Sequence, residues 1–118
     1  MRIWVVDDEP GILQVMEVAL TWRGHQVTTY QSAKLADRAA SGRDERIPDL
    51  LLIDVSLGGE DGVALAGRLH AIWPMVPLVL MSGGGLPLAE PLSFVTQWLE
   101  KPFHLAQLAQ TVERCRSG

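Results

Sequence analysis

The chain has 118 residues, a length suited to one domain, and its 47% hydrophobic content is ample for one buried core. A formal net charge of −4, with no run among its 10 Lys and Arg residues, excludes direct nucleic-acid binding by this segment, because phosphate contacts demand clustered cations. No apolar stretch approaches the about 18 residues of a membrane span, and the start Met1-Arg2-Ile3 carries no secretory or lipidation signal, so a soluble, cytoplasmic protein without membrane contact is expected.

Ile3-Trp4-Val5-Val6 is the first predicted strand, and Asp7 and Asp8 follow it directly. Pro10 suits a first helical turn; from Gly11 to about Arg23, Ile12, Leu13, Met16, Ala19 and Leu20 share one stripe, and Gly24 provides the stop. Gln26 to Tyr30 is β-branched and alternating, a second strand, and Ser32 caps a helix that runs to about Ala40. After a polar loop over 43–49 comes a third strand, Leu50-Leu51-Leu52-Ile53-Asp54. Gly58-Gly59 and Asp61-Gly62 then lead into a helix with Val63, Leu65, Ala66, Leu69 and Ile72 on its core side, ended by Pro74. Residues 76–81 form a continuous apolar strand with Pro77 near its start. The last pair is a strand over 94–99 and a helix from His104 to about Arg116, with Leu105, Leu108, Ala109 and Val112 facing the core.

Strands alternating with helices, joined by right-handed crossovers, predict an α/β fold: a doubly wound parallel sheet with helices on both faces. Periodicity leaves the strand order open. In such sheets ligands bind at the carboxyl ends of the strands, and that edge is where the polar residues of this chain collect. Asp7 and Asp8 end the first strand, Asp54 the third, Ser82 the fourth, and Lys101 follows the fifth. Three clustered carboxylates require a cation, and a hard divalent ion, Mg²⁺ first and Mn²⁺ as the substitute, suits their oxygens. A carboxylate can also attack phosphorus when the phosphoryl oxygens are neutralised, which makes Asp54 the candidate nucleophile, Lys101 its cationic partner and Ser82 a hydrogen-bond donor to the bound group.

Val6-Asp7-Asp8-Glu9-Pro10, Asp54 through Gly62, Met81-Ser82-Gly83 and Lys101-Pro102-Phe103 together resemble the receiver domain of two-component response regulators, of the CheY-like family, from residue 1 to about residue 116. The resemblance implies one receiver domain over 1–118 with a flavodoxin-like, five-stranded sheet of order 2-1-3-4-5 and five helices. It implies that Asp54 accepts a phosphoryl group from a sensor histidine kinase, a phosphotransfer protein or a small phosphodonor, and that an output domain or partner reads the change. It implies Mg²⁺ binding by Asp8, Asp54 and the backbone carbonyl of Ser56, with Asp7 acting through water, and a cis peptide bond at Lys101-Pro102. On this reading the chain catalyses only its own phosphorylation and dephosphorylation and is not a turnover enzyme.

Several positions depart from the family's pattern. Gly58 stands where receivers usually carry proline, which predicts a more pliable loop. Trp98 replaces the usual Tyr or Phe of the activation switch, and as a large apolar strand residue it should be at least half buried. Residues 83–93 hold three glycines and two prolines where a fourth helix is expected, so that helix should be a stub or an irregular loop. The positions two residues beyond Asp54 and Ser82 are Ser56 and Gly84, neither able to orient a water well, and slow self-dephosphorylation follows.

Other residues have plainer readings. His25, His70 and His104 lack metal-ligand spacing and are expected at the surface or at helix ends. Trp4, Trp22 and Trp73 are expected to pack, and Cys115, the one cysteine, is given no role. Two alternatives remain: a pseudo-receiver that binds partners without phosphorylation, and an aspartate-nucleophile phosphohydrolase. The second requires a carboxylate two residues after the nucleophile, where Ser56 stands. A flavodoxin-like cofactor binder is disfavoured because Asp7-Asp8-Glu9 would repel a phosphate after the first strand.

Overall fold

The runs Ile3–Val6, Leu50–Ile53 and Leu78–Met81 are apolar at every position, the signature of strands buried on both faces. In the computed structural model, which describes residues 1–42, 46–84 and 93–116, they lie at the centre of one parallel sheet. The elements in chain order are β1 (Arg2–Val6), α1 (Pro10–Trp22), β2 (Gln26–Tyr30), α2 (Ala33–Ala40), β3 (Leu50–Asp54), β4 (Ser56–Leu57), β5 (Glu60–Asp61), α3 (Gly62–Ile72), β6 (Leu78–Ser82), β7 (Gln97–Glu100) and α4 (Leu105–Arg116). The large sheet has the order β2-β1-β3-β6-β7, which is 2-1-3-4-5 when its five strands alone are counted. No described helix is long and apolar enough to cross a membrane.

Alternation along the strands splits the core in two. Ile3, Val5, Leu50, Leu52, Val79, Met81 and Leu99 face α1 and α4, where Leu13, Met16, Leu20, Leu108 and Val112 meet them. Trp4, Val6, Leu51, Ile53, Leu78 and Leu80 face α2 and α3 and pack on Ala33, Ala36, Leu65, Ala66 and Leu69. Trp4 sits edge-on to both Tyr30 and Trp73, with ring centroids 4.8 and 5.2 Å away. α1 closes in a Schellman motif, with the His25 N–H donating to Leu20 O and the Gly24 N–H to Thr21 O.

Three expectations are corrected here and one is narrowed. Trp22 does not pack: it is 90% exposed, because it lies two residues beyond Leu20 and therefore on the far side of α1. His25 stands at a helix end, one of the two places expected of it, and is buried there at 4% exposed, drawn under the end of α1 by that motif. Ile72 and Leu105 keep the apolar spacing but are exposed, each being the terminal residue of its helix; Trp73 and Val76 fill the core beside the end of α3 instead. The last strand also begins later than its apolar run, at Gln97, with Phe94 and Val95 packing on the α3 side before pairing starts.

One element has no counterpart in the sequence reading. Ser56–Leu57 and Glu60–Asp61 pair antiparallel across Gly58 and Gly59, whose φ values of 58° and 96° form the type I′ turn that a two-residue hairpin favours. Glycine at 58 thus serves a left-handed turn, a conformation closed to proline, where the sequence suggested simple pliability. Four helices are present among the described residues. The expected stub over 83–93 falls largely on residues 85–92, outside the described residues; Gly83 and Gly84 form a bend after β6.

Candidate functional site

Parallel register brings the polar strand ends together. Val6 pairs with Ile53, Asp54 with Met81, and Ser82 with Glu100, so Asp7, Asp54, Ser82 and Lys101 emerge side by side at one edge. The Lys101 N–H donates to the Ser82 carbonyl at 2.8 Å, continuing the ladder one step past β7, and the Lys101–Pro102 peptide bond is cis.

Lys101 reaches back across this edge. Its Nζ donates to Asp7 Oδ2 at 2.5 Å and to Asp54 Oδ2 at 2.7 Å, so one ammonium bridges two carboxylates that lie far apart in sequence. The other oxygen of each carboxylate accepts a backbone N–H: Asp7 Oδ1 from Glu9 at 3.0 Å, and Asp54 Oδ1 from Ser56 at 3.1 Å. Asp7 is 0% exposed and Asp54 5%, while the Lys101 side chain keeps 14% of its surface.

The electrostatics follow from that burial. Desolvation raises the Asp7 pKa above its ordinary value, the neighbouring Asp54 charge adds to this, and the hydrogen bonds and charge of Lys101 with the Glu9 N–H only partly offset it. Burial opposes the Lys101 charge, but the hydrogen bonds and charges of Asp54 and Asp7 outweigh it and hold its pKa above the ordinary lysine value. The site therefore carries more buried anionic character than one lysine neutralises.

Asp7, Asp8 and Glu9 each offer a carboxylate oxygen, and these oxygens lie within 4.8 Å of one another. They are hard donors, and the set fits a hard divalent cation. Glu9 was not a sequence candidate; its signal was only its place beside Asp7 and Asp8. Asp54 is engaged by Lys101 next to this group. Ser56, on the hairpin after β3, is exposed and donates its N–H to Asp54. Ser82 is buried at the end of β6, and Trp98 is half-buried on β7, opposite Leu80 and packed on the α3-side core.

Two glycines let the backbone close around Asp54 and Asp8. A Cβ on Gly62 would stand 1.8 Å from the Asp54 carbonyl oxygen, and one on Gly58 would stand 3.1 Å from Asp8 Oδ2. The hairpin therefore lies against the acidic site, and α3 starts directly behind Asp54. Asp61 Oδ1 caps α3 by accepting from Val63 and Ala64.

A family profile for the response regulator receiver domain matches residues 3–113. The chain belongs to that family. The DNA-binding transcriptional regulator NtrC of Escherichia coli is 34% identical over 120 residues, covering 98% of this chain and 24% of that protein. The receiver domain of NtrX from Brucella abortus is 32% identical and superposes with a TM-score of 0.82 over 96% of either chain. A CheY-like receiver domain protein from Methanospirillum hungatei, 21% identical, shares the fold with a TM-score of 0.84 over 98% of this chain and 94% of its own. This receiver domain spans 24% of the length of the NtrC regulators it matches. Membership makes it a signalling domain of the two-component type.

Proposed function

We propose that this receiver is a phosphorylation switch in which Asp54 accepts a phosphoryl group from a histidine kinase, a phosphotransfer protein or a small phosphodonor in a Mg²⁺-dependent step. The observation that carries the reading is the Lys101 ammonium bridging Asp7 and Asp54 at the edge of the sheet. An Asp54 carboxylate oxygen attacks phosphorus, the bond from phosphorus to the donor breaks, and the donor leaves with the electron pair, giving an acyl phosphate.

Each residue has a place in that step. Asp8 and Asp54, with the Ser56 carbonyl and with Asp7 through water, would hold Mg²⁺, or Mn²⁺ in its stead, and Glu9 offers a carboxylate oxygen within 4.8 Å of those of Asp7 and Asp8. The bound ion supplies neutralisation of the phosphoryl oxygens. The Ser56 N–H orients Asp54 through Oδ1. When Asp54 becomes an acyl phosphate it surrenders its charge, so Lys101 moves from Asp54 Oδ2 to a phosphoryl oxygen. The Ser82 hydroxyl donates to another, and its movement reaches Trp98 through the β6–β7 ladder. That rearrangement is the signal. An output domain or separate partner reads it, and the DNA-binding regulators among the relatives favour a transcriptional output.

The test is incubation with acetyl phosphate and Mg²⁺, beside Asp54→Asn and an EDTA control, followed by intact mass. Gain of one phosphoryl group that requires both Mg²⁺ and Asp54 is expected. Gain that persists in Asp54→Asn would place the acceptor elsewhere, and loss of both Mg²⁺ binding and phosphorylation would overturn the reading.

A further inference from the structure

Three contacts fasten the hairpin that follows Asp54. Leu57, 2% exposed, anchors it in the α2–α3 core. Gly58 brings its backbone against the Asp8 carboxylate. The third contact is the least expected: Glu60 reaches across to the first turn of α2, where Oε1 accepts the Ala33 N–H at 2.9 Å and Oε2 the Lys34 N–H at 3.3 Å. Ser32 Oγ takes the next amide, that of Leu35, at 3.1 Å. The first three N–H groups of α2, which no intrahelical carbonyl can satisfy, are thus all bound, two of them by a carboxylate 27 residues away from Ala33.

A solvated surface glutamate would not need this geometry, because Ser32 already caps the helix in the ordinary way. Both carboxylate oxygens are engaged, and the helix N-terminus favours their negative charge. Glu60 is also the register partner of Leu57 across the two-residue turn, so fixing Glu60 fixes the whole Ser56–Asp61 ladder. That ladder carries Ser56, whose N–H holds Asp54, at one end and Gly58, which abuts Asp8, at its turn.

We propose that Glu60 is a positioning residue for the acidic site: it staples the hairpin to α2, and the fastened hairpin holds Asp8 and Asp54 in the arrangement that receives the cation. This rests on the receiver reading above. Outer groups that orient metal ligands are worth tenfold or more in affinity when removed, and Glu60 acts at that remove.

The experiment compares the unsubstituted 118-residue chain with Glu60→Ala, Glu60→Gln and Ser32→Ala. Mg²⁺ affinity is measured by calorimetry, and exchange of the amides of residues 57–61 is followed without metal. Ser32→Ala removes the other cap of the same helix and leaves Glu60 in place, so it reports what loosening α2 alone does. Glu60→Ala is expected to weaken Mg²⁺ binding about tenfold and to speed exchange across the hairpin. Glu60→Gln, which keeps the length and one acceptor, should fall between; Ser32→Ala should lower the melting temperature with Mg²⁺ affinity and hairpin exchange unchanged. Equal Mg²⁺ affinity in Glu60→Ala and the unsubstituted chain would overturn the proposal, as would an equal loss in Ser32→Ala. No Mg²⁺ binding by the unsubstituted chain would instead overturn the Mg²⁺-dependent switch proposed above, while the exchange data would still decide whether the staple exists.

Discussion

Replacing Lys101 by methionine tests the electrostatic design of the site most directly. At an effective dielectric of about 20, the 2.5 and 2.7 Å contacts of its ammonium are each worth roughly 6 kcal/mol of attraction. Desolvation of three charged groups, several kcal/mol each, consumes most of that, so the intact cluster is close to balanced. Removing the cation alone upsets the balance, because Asp7 and Asp54 stay buried and now repel each other without compensation. Truncating one partner of a buried pair costs about 3–5 kcal/mol, and the residual exposure of Lys101, 14% of its side chain, sets the expectation at the lower end, about 3 kcal/mol. In a chain of 118 residues that corresponds to a melting temperature lower by roughly 10 °C. Urea unfolding followed by tryptophan fluorescence, in EDTA and then in millimolar Mg²⁺, measures both the deficit and its repair. The deficit should be full at neutral pH. It should shrink in acid, since burial raises the Asp7 pKa above 3.8 and its protonation removes the uncompensated charge. Mg²⁺ should stabilise the variant more than the parent, having one more unpaired anion to neutralise. A deficit under about 0.5 kcal/mol in EDTA, the size of an ordinary surface substitution, would refute this account of the site.

Three further outcomes are expected. Gly62→Ala would place a Cβ 1.8 Å from the Asp54 carbonyl oxygen, so the backbone must shift, with a loss of at least about 3 kcal/mol by urea midpoint; a loss under about 1 kcal/mol would show that the approach relaxes easily. Burial, then the N-terminal ammonium, Arg116 and Arg23, lower the His25 pKa below 6.5 against the opposing charge of Glu113. The folded chain then holds that proton less tightly than the unfolded one, so stability is full above pH 6.5 and declines as pH falls from there toward the lowered value; His25→Gln should flatten this slope, and an unchanged slope would remove His25 as its source. With only Ser56 and Gly84 at the positions that would orient an attacking water, the acyl phosphate should decay over minutes or longer once donor is removed, and decay within seconds would count against it.

The sheet was legible because its central strands are extreme. A run such as Leu50 to Ile53, apolar at each position and ending in aspartate, admits few readings; β1 repeats that pattern, and β6 has the same apolar run ending in Ser82. Strand order was not contained in that periodicity and came only through the resemblance. Helix faces were legible in their middles and failed at their ends. The stripe through Leu65, Ala66 and Leu69 is buried, whereas Ile72 is exposed in the last position of α3. Period tells which side of a helix is apolar, but the neighbouring elements decide where burial stops. Trp22 shows the converse: its bulk suggested packing, yet its angle on α1 points away from Leu20, and angle governs.

The same division holds at the site. Asp7, Asp8, Asp54, Ser82 and Lys101 were legible because each ends or follows a strand, and parallel strands deliver their ends to one edge. The contacts that orient them were not. Gly58 read as a loose joint, since composition reports that glycine permits freedom and says nothing of whether the fold uses it for a defined positive-φ turn. Glu60 carried no signal at all: its partners are backbone amides of α2, and a helix N–H looks the same in sequence whatever residue bears it. Backbone groups are half of every such contact. Residues that act by binding them are found from geometry, as Glu60 is from its reach to the Ala33 and Lys34 amides.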